Sequence, residues 1–479
     1  MTNKHYLVSI ALATILTPTT AWLTSATALA AGEAKNVIFF LGDGMGPVTT
    51  TAARIWKYKE SGSLTMDTLP YAARIKTYSL DAQTTDSAPS MAAYMTGVKT
   101  RNEVLSMDGN TFAKPPSKDA ATNVSNAITN CPATGNGAAS KTLLELAIAQ
   151  GKATGVVSTA RLTHATPAAT YAHSCHRDAE YDISRQAVPG GAGFNAALGN
   201  GVDVLMGGIS YYWRPFNATT PPRGRPDGRD LVDELQKKGY TAVSDLPGMN
   251  SAPVSTGSKL IGLFDFALAQ GHMSFELDRD PSKEPSLAQM TTKSIDILSK
   301  NGKGFFLMVE GGRIDHALHG TNAARALSDT IAFDNAVKAA IDKVKTFDPN
   351  LENTLIVVTA DHDHTMAFNG YGKRGDDPLG LSYNYVTGAP NTDVSGNSYS
   401  TLVFGNGSNR PDVRVPLDAS AVKSNDYLQE VAIRHGAAGS ETHGGGDVML
   451  FATGIGSKTF KGTLDNTRIF GLIKSAAGY

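Results

Sequence analysis

Acidic residues, histidines and hydroxyls suited to holding divalent cations or attacking phosphorus recur in this chain directly after apolar, β-prone runs. Asp43 follows Asn36 to Leu41; Thr159, His164 and Thr166 follow Thr154 to Ser158; Glu310, Asp315 and His319 follow Gly304 to Val309; Asp361 and His362 follow Thr354 to Thr359. In open α/β sheets the ligand crevice lies at the carboxyl ends of the strands, and carboxylate, hydroxyl and imidazole are the donors zinc and magnesium take. A lone Asp after a strand is commonly a helix N-cap, a role Asp43 also fits. Capping does not explain the longer runs. Asp315 and His319, four apart, share a face if their stretch is helical. The run Asp361, His362, Asp363, His364 offers four ligands after one strand, and buried acids of this kind need a cation or a dense hydrogen-bond shell. His443 precedes its strand and so breaks the pattern; alone it reads as a loop histidine.

Ser87 opens a run of small residues through Ala92, Ala93 and Gly97. Thr85, Asp86 or Ser87 suits an N-cap there. The functional reading is that free N–H groups at a helix start meet an anionic phosphoryl group while an adjacent zinc deprotonates the hydroxyl.

Positioning such residues requires a sheet. Short apolar runs alternate with helical stretches, which predicts an α/β fold with a large, mostly parallel sheet sandwiched by helices. The predicted strands are Asn36 to Leu41, Thr154 to Ser158, Val202 to Met206, Gly304 to Val309, Thr354 to Thr359 and Val448 to Ala452. The predicted helices include Ser87 to Thr96, Ser140 to Gln150, Ser286 to Ser299 and Asn322 to Val344. From Asn369 to about Gly439 the chain is rich in Gly, Asn, Asp, Ser and Pro and reads as a small β-rich insertion. The loop carrying Arg214, Arg223, Arg225 and Arg229 reads as solvated.

Forty-three basic and forty-four acidic residues among 479 give a formal charge of −1, so no global field holds the chain on nucleic acid or an anionic membrane. An anionic substrate must be captured locally. Residues 1–30 read as a secretory signal peptide: Lys4 and His5 lead, Leu7 to Leu16 is apolar, and Ala28, Leu29, Ala30 form a small-x-small cleavage site. The apolar run is too short for the roughly 20 residues of a membrane span. This predicts a periplasmic or secreted protein whose mature part starts at residue 31. Two cysteines, Cys131 and Cys175, predict one disulfide in an oxidising compartment, worth roughly 4 kcal/mol in the chain-entropy model; two buried thiols are the alternative.

From Asn36 to about Gly454 the chain resembles the alkaline phosphatase family. The motifs are Asp43-Gly44-Met45-Gly46, Thr85-Asp86-Ser87-Ala88, His164-Ala165-Thr166-Pro167-Ala168, Val309 to His316, Thr359-Ala360-Asp361-His362 and Thr442-His443-Gly444. The resemblance implies one zinc held by Asp315, His319 and His443 and a second by Asp43, Asp361 and His362. It implies a magnesium held by Asp43, Thr166 and Glu310, with His164 and His316 near that third site. Ser87 would be the nucleophile and Arg177 the clamp on the phosphate oxygens. The implied reaction hydrolyses phosphomonoesters to alcohol and inorganic phosphate through a phosphoserine, at alkaline pH. His164 and His316 stand where some bacterial relatives carry Asp and Lys, as in the animal-type and marine bacterial branch; an imidazole there also suits zinc in the third site. The segment from Asn369 to Gly439 resembles the family's crown, which implies a homodimer. Two other readings use the same ligands: a phosphodiesterase of the same superfamily, and a non-catalytic exported phosphate or metal binder.

Overall fold

The computed structural model describes residues 1–2, 33–118, 126–219 and 223–479. The predicted signal peptide falls almost wholly outside the described residues. Gly32–Tyr479 cluster as one unit.

Its centre is a ten-stranded sheet in the order Gly462–Asp465, Tyr71–Lys76, Val448–Gly454, Thr354–Ala360, Asn36–Gly42, Phe305–Gly311, Ala153–Arg161, Val204–Gly208, Lys259–Phe264, Tyr240–Val243. Every neighbouring pair is parallel except those made by Val448–Gly454, which runs against both partners. The middle strands are apolar throughout and buried on both faces, Val37 to Leu41 and Phe305 to Val309 being fully enclosed, as a sheet covered by helices on two sides demands.

The six predicted strands are present, with Val202 to Met206 shifted to Val204–Gly208. The sequence reading missed four others, which lie at or near the sheet edges; in Tyr71–Lys76 alternation of exposed and buried positions weakens the apolar signal, whereas Lys259–Phe264 is short but apolar and buried. Ser87–Thr96 is helical as predicted and Ala323–Lys345 forms the long helix expected there. The helix expected from Ser140 starts at Leu143, where Thr142 and Glu145 make a reciprocal capping box.

Three strands in and beside the 369–439 segment form a small separate sheet, Met366–Phe368, Leu402–Gly407 and Val431–Arg434. The arginine loop is not simply solvated. Arg225 is fully buried, its Nη1 donating to the carbonyls of Tyr181 and Tyr212 and to Ser184 Oγ, so it anchors the loop. Cys131 and Cys175 are joined by a disulfide. Among the described residues no helix is long and apolar enough to cross a membrane.

Candidate active site

Asp43, Thr166, Asp315, His319, Asp361 and His362 follow strands at one edge of the sheet, the carboxyl ends of the parallel strands, and Glu310 is the next-to-last residue of its strand there. His443 joins them because Val448–Gly454 is antiparallel: its start lies where its neighbours end. The departure of His443 from the sequence pattern is thereby explained. His443 and Gly444 pair with His364 and Asp363 in a two-residue ladder, which brings the two runs together.

Capping accounts for neither Asp43 nor Ser87. The helix Pro47–Tyr58 has Gly46 as N-cap and no side-chain cap, while Asp86 caps Ser87–Thr96 by accepting from Ala88 N–H at 2.8 Å. Ser87 Oγ is left to face the cluster, 3.3 Å from Asp43 Oδ1 and 3.2 Å from His362 Nε2. The same helix start offers fewer N–H groups than the sequence suggests, since Asp86 takes that of Ala88 and Pro89 has none.

His362 lends Nδ1 to the Asp363 carbonyl at 3.2 Å, so Nε2 is the lone-pair end, 3.2 Å from Asp43 Oδ1 and 3.5 Å from Asp361 Oδ2. Asp43, Asp361 and His362 thus form one donor group. A second converges on Asp315 Oδ1, with His319 Nε2 at 3.3 Å and His443 Nε2 at 3.5 Å. Each of these rings spends Nδ1 on a carbonyl, Glu441 for His319 and Thr85 for His443. Their Nε2 atoms stand 3.1 Å apart, two lone pairs that only a proton or cation can reconcile. His364 is different: it is bonded at both nitrogens, to Asp315 Oδ1 at 2.9 Å and Glu441 Oε2 at 2.6 Å. Against its burial these carboxylates push it up to about 10, so it orients Asp315 as a donor.

The third group joins Asp43, His164 and Glu310. Glu310 Oε1, Thr166 Oγ1, His164 Nδ1, Asp43 Oδ2 and Asp361 Oδ2 are all buried without a hydrogen-bond partner. Native interiors hold only a few such orphans per hundred residues; Arg177 donates to His164 Nε2, so Nδ1 there is an N–H, and the four oxygens gathered around it fit divalent cations. The electrostatics agree. Burial first, then the charge of Asp315, pushes Asp43 up to about 7; burial, then Asp43, does the same to Asp361. Glu310 is likewise raised well above the ordinary carboxyl range, by burial and then Asp43. Carboxylates so placed resist ionising together unless a cation joins them. His316 packs against His164, ring centroids 5.2 Å apart, with its Nε2 4.0 Å from Asp315 Oδ2.

Arg177 reaches this edge from the segment after Cys175, donating Nη1 to Asp86 Oδ1 at 2.5 Å and Nη2 to His164 Nε2 at 3.0 Å. Asp86 therefore caps the Ser87 helix and holds the guanidinium. Asp86, Ser158 and Glu441, to which the sequence assigns no site role, and His364, read there only as one potential ligand of the Asp361 to His364 run, act by holding other side chains; Ser158 bonds Glu310. Two of them carried a signal, the fourth place in the Asp361 to His364 run and the Glu two residues before His443. The glycines are close-approach residues: a Cβ on Gly44, at φ +65°, would lie 2.5 Å from the His364 ring, and one on Gly46 would strike Asp363.

Residues 34–479 match the family model for alkaline phosphatase. The chain belongs to the alkaline phosphatase family. Curated relatives include the membrane-bound alkaline phosphatase of Bombyx mori, 35% identical over 92% of this chain and 79% of that protein. Another is the alkaline phosphatase of Gadus morhua, 36% identical over 88% and 87%. The fold matches solved alkaline phosphatases from the Antarctic bacterium TAB5 (TM-score 0.63, 23% identity, 93% and 99% covered) and Thermus thermophilus (TM-score 0.65, 24% identity, 94% and 92% covered).

The segment that carries Arg177 is fixed to this family scaffold by a largely buried ion pair. His173 donates Nε2 to Glu145 Oε1 and Nδ1 to the Ser106 carbonyl, both at 2.8 Å. Burial opposes the imidazolium, but Glu145 outweighs it and raises the pKa of His173, while His173 outweighs the burial of Glu145 and lowers that of the carboxyl. A raised imidazole stabilises fully below its unfolded value and loses that contribution as pH rises through the folded one. His173→Gln is therefore expected to cost about 3 kcal/mol near neutral pH, and less as pH climbs. Thermal unfolding of both proteins across that range checks it; a constant or widening difference contradicts it.

Proposed function

We propose that this phosphomonoester hydrolase works by double displacement through a phosphoserine on Ser87. The observation that carries the reading is the Ser87 hydroxyl, relieved of capping by Asp86 and held against Asp43 and His362. Asp43, Asp361 and His362 would hold one zinc; Asp315, His319 and His443 the other; Asp43, Thr166 and Glu310 a magnesium, with His164 beside that site, its Nε2 accepting from Arg177 and its Nδ1–H turned toward the carboxylates. When bound, these ions ionise serine and water and stabilise the leaving oxygen as Lewis acids.

The chain's own residues do the rest. Arg177, its fork set by Asp86, binds two non-bridging phosphate oxygens and orients the ester. Ser87 Oγ attacks phosphorus, the bond to the alcohol oxygen breaks, and the alcohol departs with a proton. Water then attacks the phosphoserine, releasing inorganic phosphate and restoring the hydroxyl.

The same reading makes residues 1–30 a signal peptide and the mature protein periplasmic or secreted, which the Cys131–Cys175 disulfide supports. The segment 369–439 serves as a crown for a homodimer; the exposure of Tyr371, Val386, Val394 and Val413 there supports an apolar contact between copies.

Phosphate release from an aryl phosphomonoester at about pH 9 tests the reading. Activity is expected to vanish on chelation and return only with zinc and magnesium, and acid quenching is expected to trap phosphate on Ser87. A fully loaded protein without activity would move the reading to a diesterase or a binder.

A further inference from the structure

Beside the third donor group stand three imidazoles, His164 and His272 buried and His316 partly exposed, and the last of these to be explained is His272. It comes from the connection after Lys259–Phe264, packs its ring 3.9 Å from that of His316 and lies edge-on to His164 at 5.5 Å. Both of its nitrogens face a single residue. Arg161 Nη1 lies 2.8 Å from Nε2 and the Arg161 backbone N–H 3.3 Å from Nδ1. A guanidinium has only donors, and a neutral imidazole accepts at one nitrogen, so the shorter contact carries the bond and the longer is a close approach of Nδ1 to the Arg161 backbone without one.

Arg161 is the corner from which the third site is built. It ends its strand, and its carbonyl accepts from His164 N–H at 2.9 Å, closing the turn that delivers His164 and, two residues on, Thr166 beside Glu310. Its guanidinium is also tied to Glu180, Nε to Oε2 at 2.6 Å. The backbone under His272 is seated independently of the ring. Met273 N–H donates to the Thr159 carbonyl at 3.1 Å. A Cβ on Gly208 would lie 2.7 Å from Met273 N and 2.8 Å from the His272 carbonyl carbon, so glycine there admits this segment flush onto the neighbouring strand.

We propose that His272 is a positioning residue for the third cation site: by gripping Arg161 and packing against His316 and His164 it fixes the corner that presents His164 and Thr166 to the cation. The inference rests on the three-cation reading above. It requires no contact between His272 and the ion; the effect passes through Arg161 and the ring packing.

The test uses the full mature enzyme, with magnesium itself as probe. His272→Phe keeps the ring that packs on His316 and removes both nitrogens that Arg161 meets, while His272→Gln keeps a polar end able to reach the guanidinium. Magnesium binding is followed by equilibrium dialysis on enzyme already loaded with zinc, and the chelated proteins are melted as a control for folding. His272→Phe is expected to need roughly tenfold more magnesium for half-saturation, with the chelated melting temperature within about 2 °C of the parent and with the glutamine variant recovering part of the affinity. Activity lost at low magnesium should return at high magnesium. Unchanged magnesium affinity in His272→Phe overturns the proposal, as does a loss matched by a fall in the chelated melting temperature, which would make the residue a general packing element. If the parent enzyme takes up no third divalent ion, the cation reading itself fails, an outcome distinct from either.

Discussion

Ser87→Ala is expected to abolish acid-trappable phosphoenzyme and to lower kcat for aryl phosphomonoesters by at least about a thousandfold, while leaving the fold intact. The expectation of an intact fold is the discriminating part. Were Ser87 the helix cap, its loss would cost about 1 kcal/mol of stability. Asp86 holds that position instead, with its carboxylate on Ala88 N–H, and Ser87 is the first helical residue with its hydroxyl turned to Asp43 and His362. Removing one buried oxygen there takes away a weak donor from a group of acceptors. The melting temperature of the chelated protein should stay within about 2 °C of the parent. Residual turnover would come from water attacking an ester still clamped by Arg177, and would show no burst of product. A variant that retains phosphoenzyme, or most of its kcat, would place the nucleophile elsewhere.

How much of this was legible in the sequence depended on what each residue touches. The central strands announced themselves because both their faces are buried and their side chains are uniformly apolar; Tyr71–Lys76 and Gly462–Asp465, near and at an edge, have water on one side and no such signature. The donor residues were legible because a parallel sheet collects strand ends at one edge, so chemistry placed after each strand is chemistry placed together. His443 was the exception until one strand proved to run backwards. Side chains that hold other side chains were the hardest to read. Asp86 reads as a cap and is one, yet it also binds a guanidinium 91 residues away. His272 follows a connection with no periodicity, and its partner Arg161 lies 111 residues earlier; nothing local in either segment signals the meeting. Family resemblance supplied ligand sets that spacing alone left open.

Asp43→Asn should separate the chain's need for cations from its need for this carboxylate as packing. Asp43 is fully buried and shared by two donor groups, Asp43–Asp361–His362 and Asp43–His164–Glu310. Asparagine preserves the shape and removes the charge. In the chelated protein that charge is a burden: Asp43 is pushed up to about 7 by burial and then by Asp315. A carboxyl whose folded value exceeds its unfolded one binds its proton more readily in the native state, so stability falls as pH rises from the unfolded value, near 4, to the folded one. The substitution abolishes that slope for this residue and relieves the repulsion on Asp361 and Glu310. Chelated Asp43→Asn should therefore melt at or above the chelated parent at about pH 7 and above, and this ordering should reverse once zinc and magnesium are added, because the parent gains from all three sites and the variant chiefly from the one built on Asp315. Activity should drop by at least about a thousandfold, and elemental analysis should find two cations per chain diminished. A variant less stable than the parent in both conditions would mean that Asp43 serves the fold through its hydrogen bonds, and that the unpartnered oxygens around it answer to something other than a shared cation.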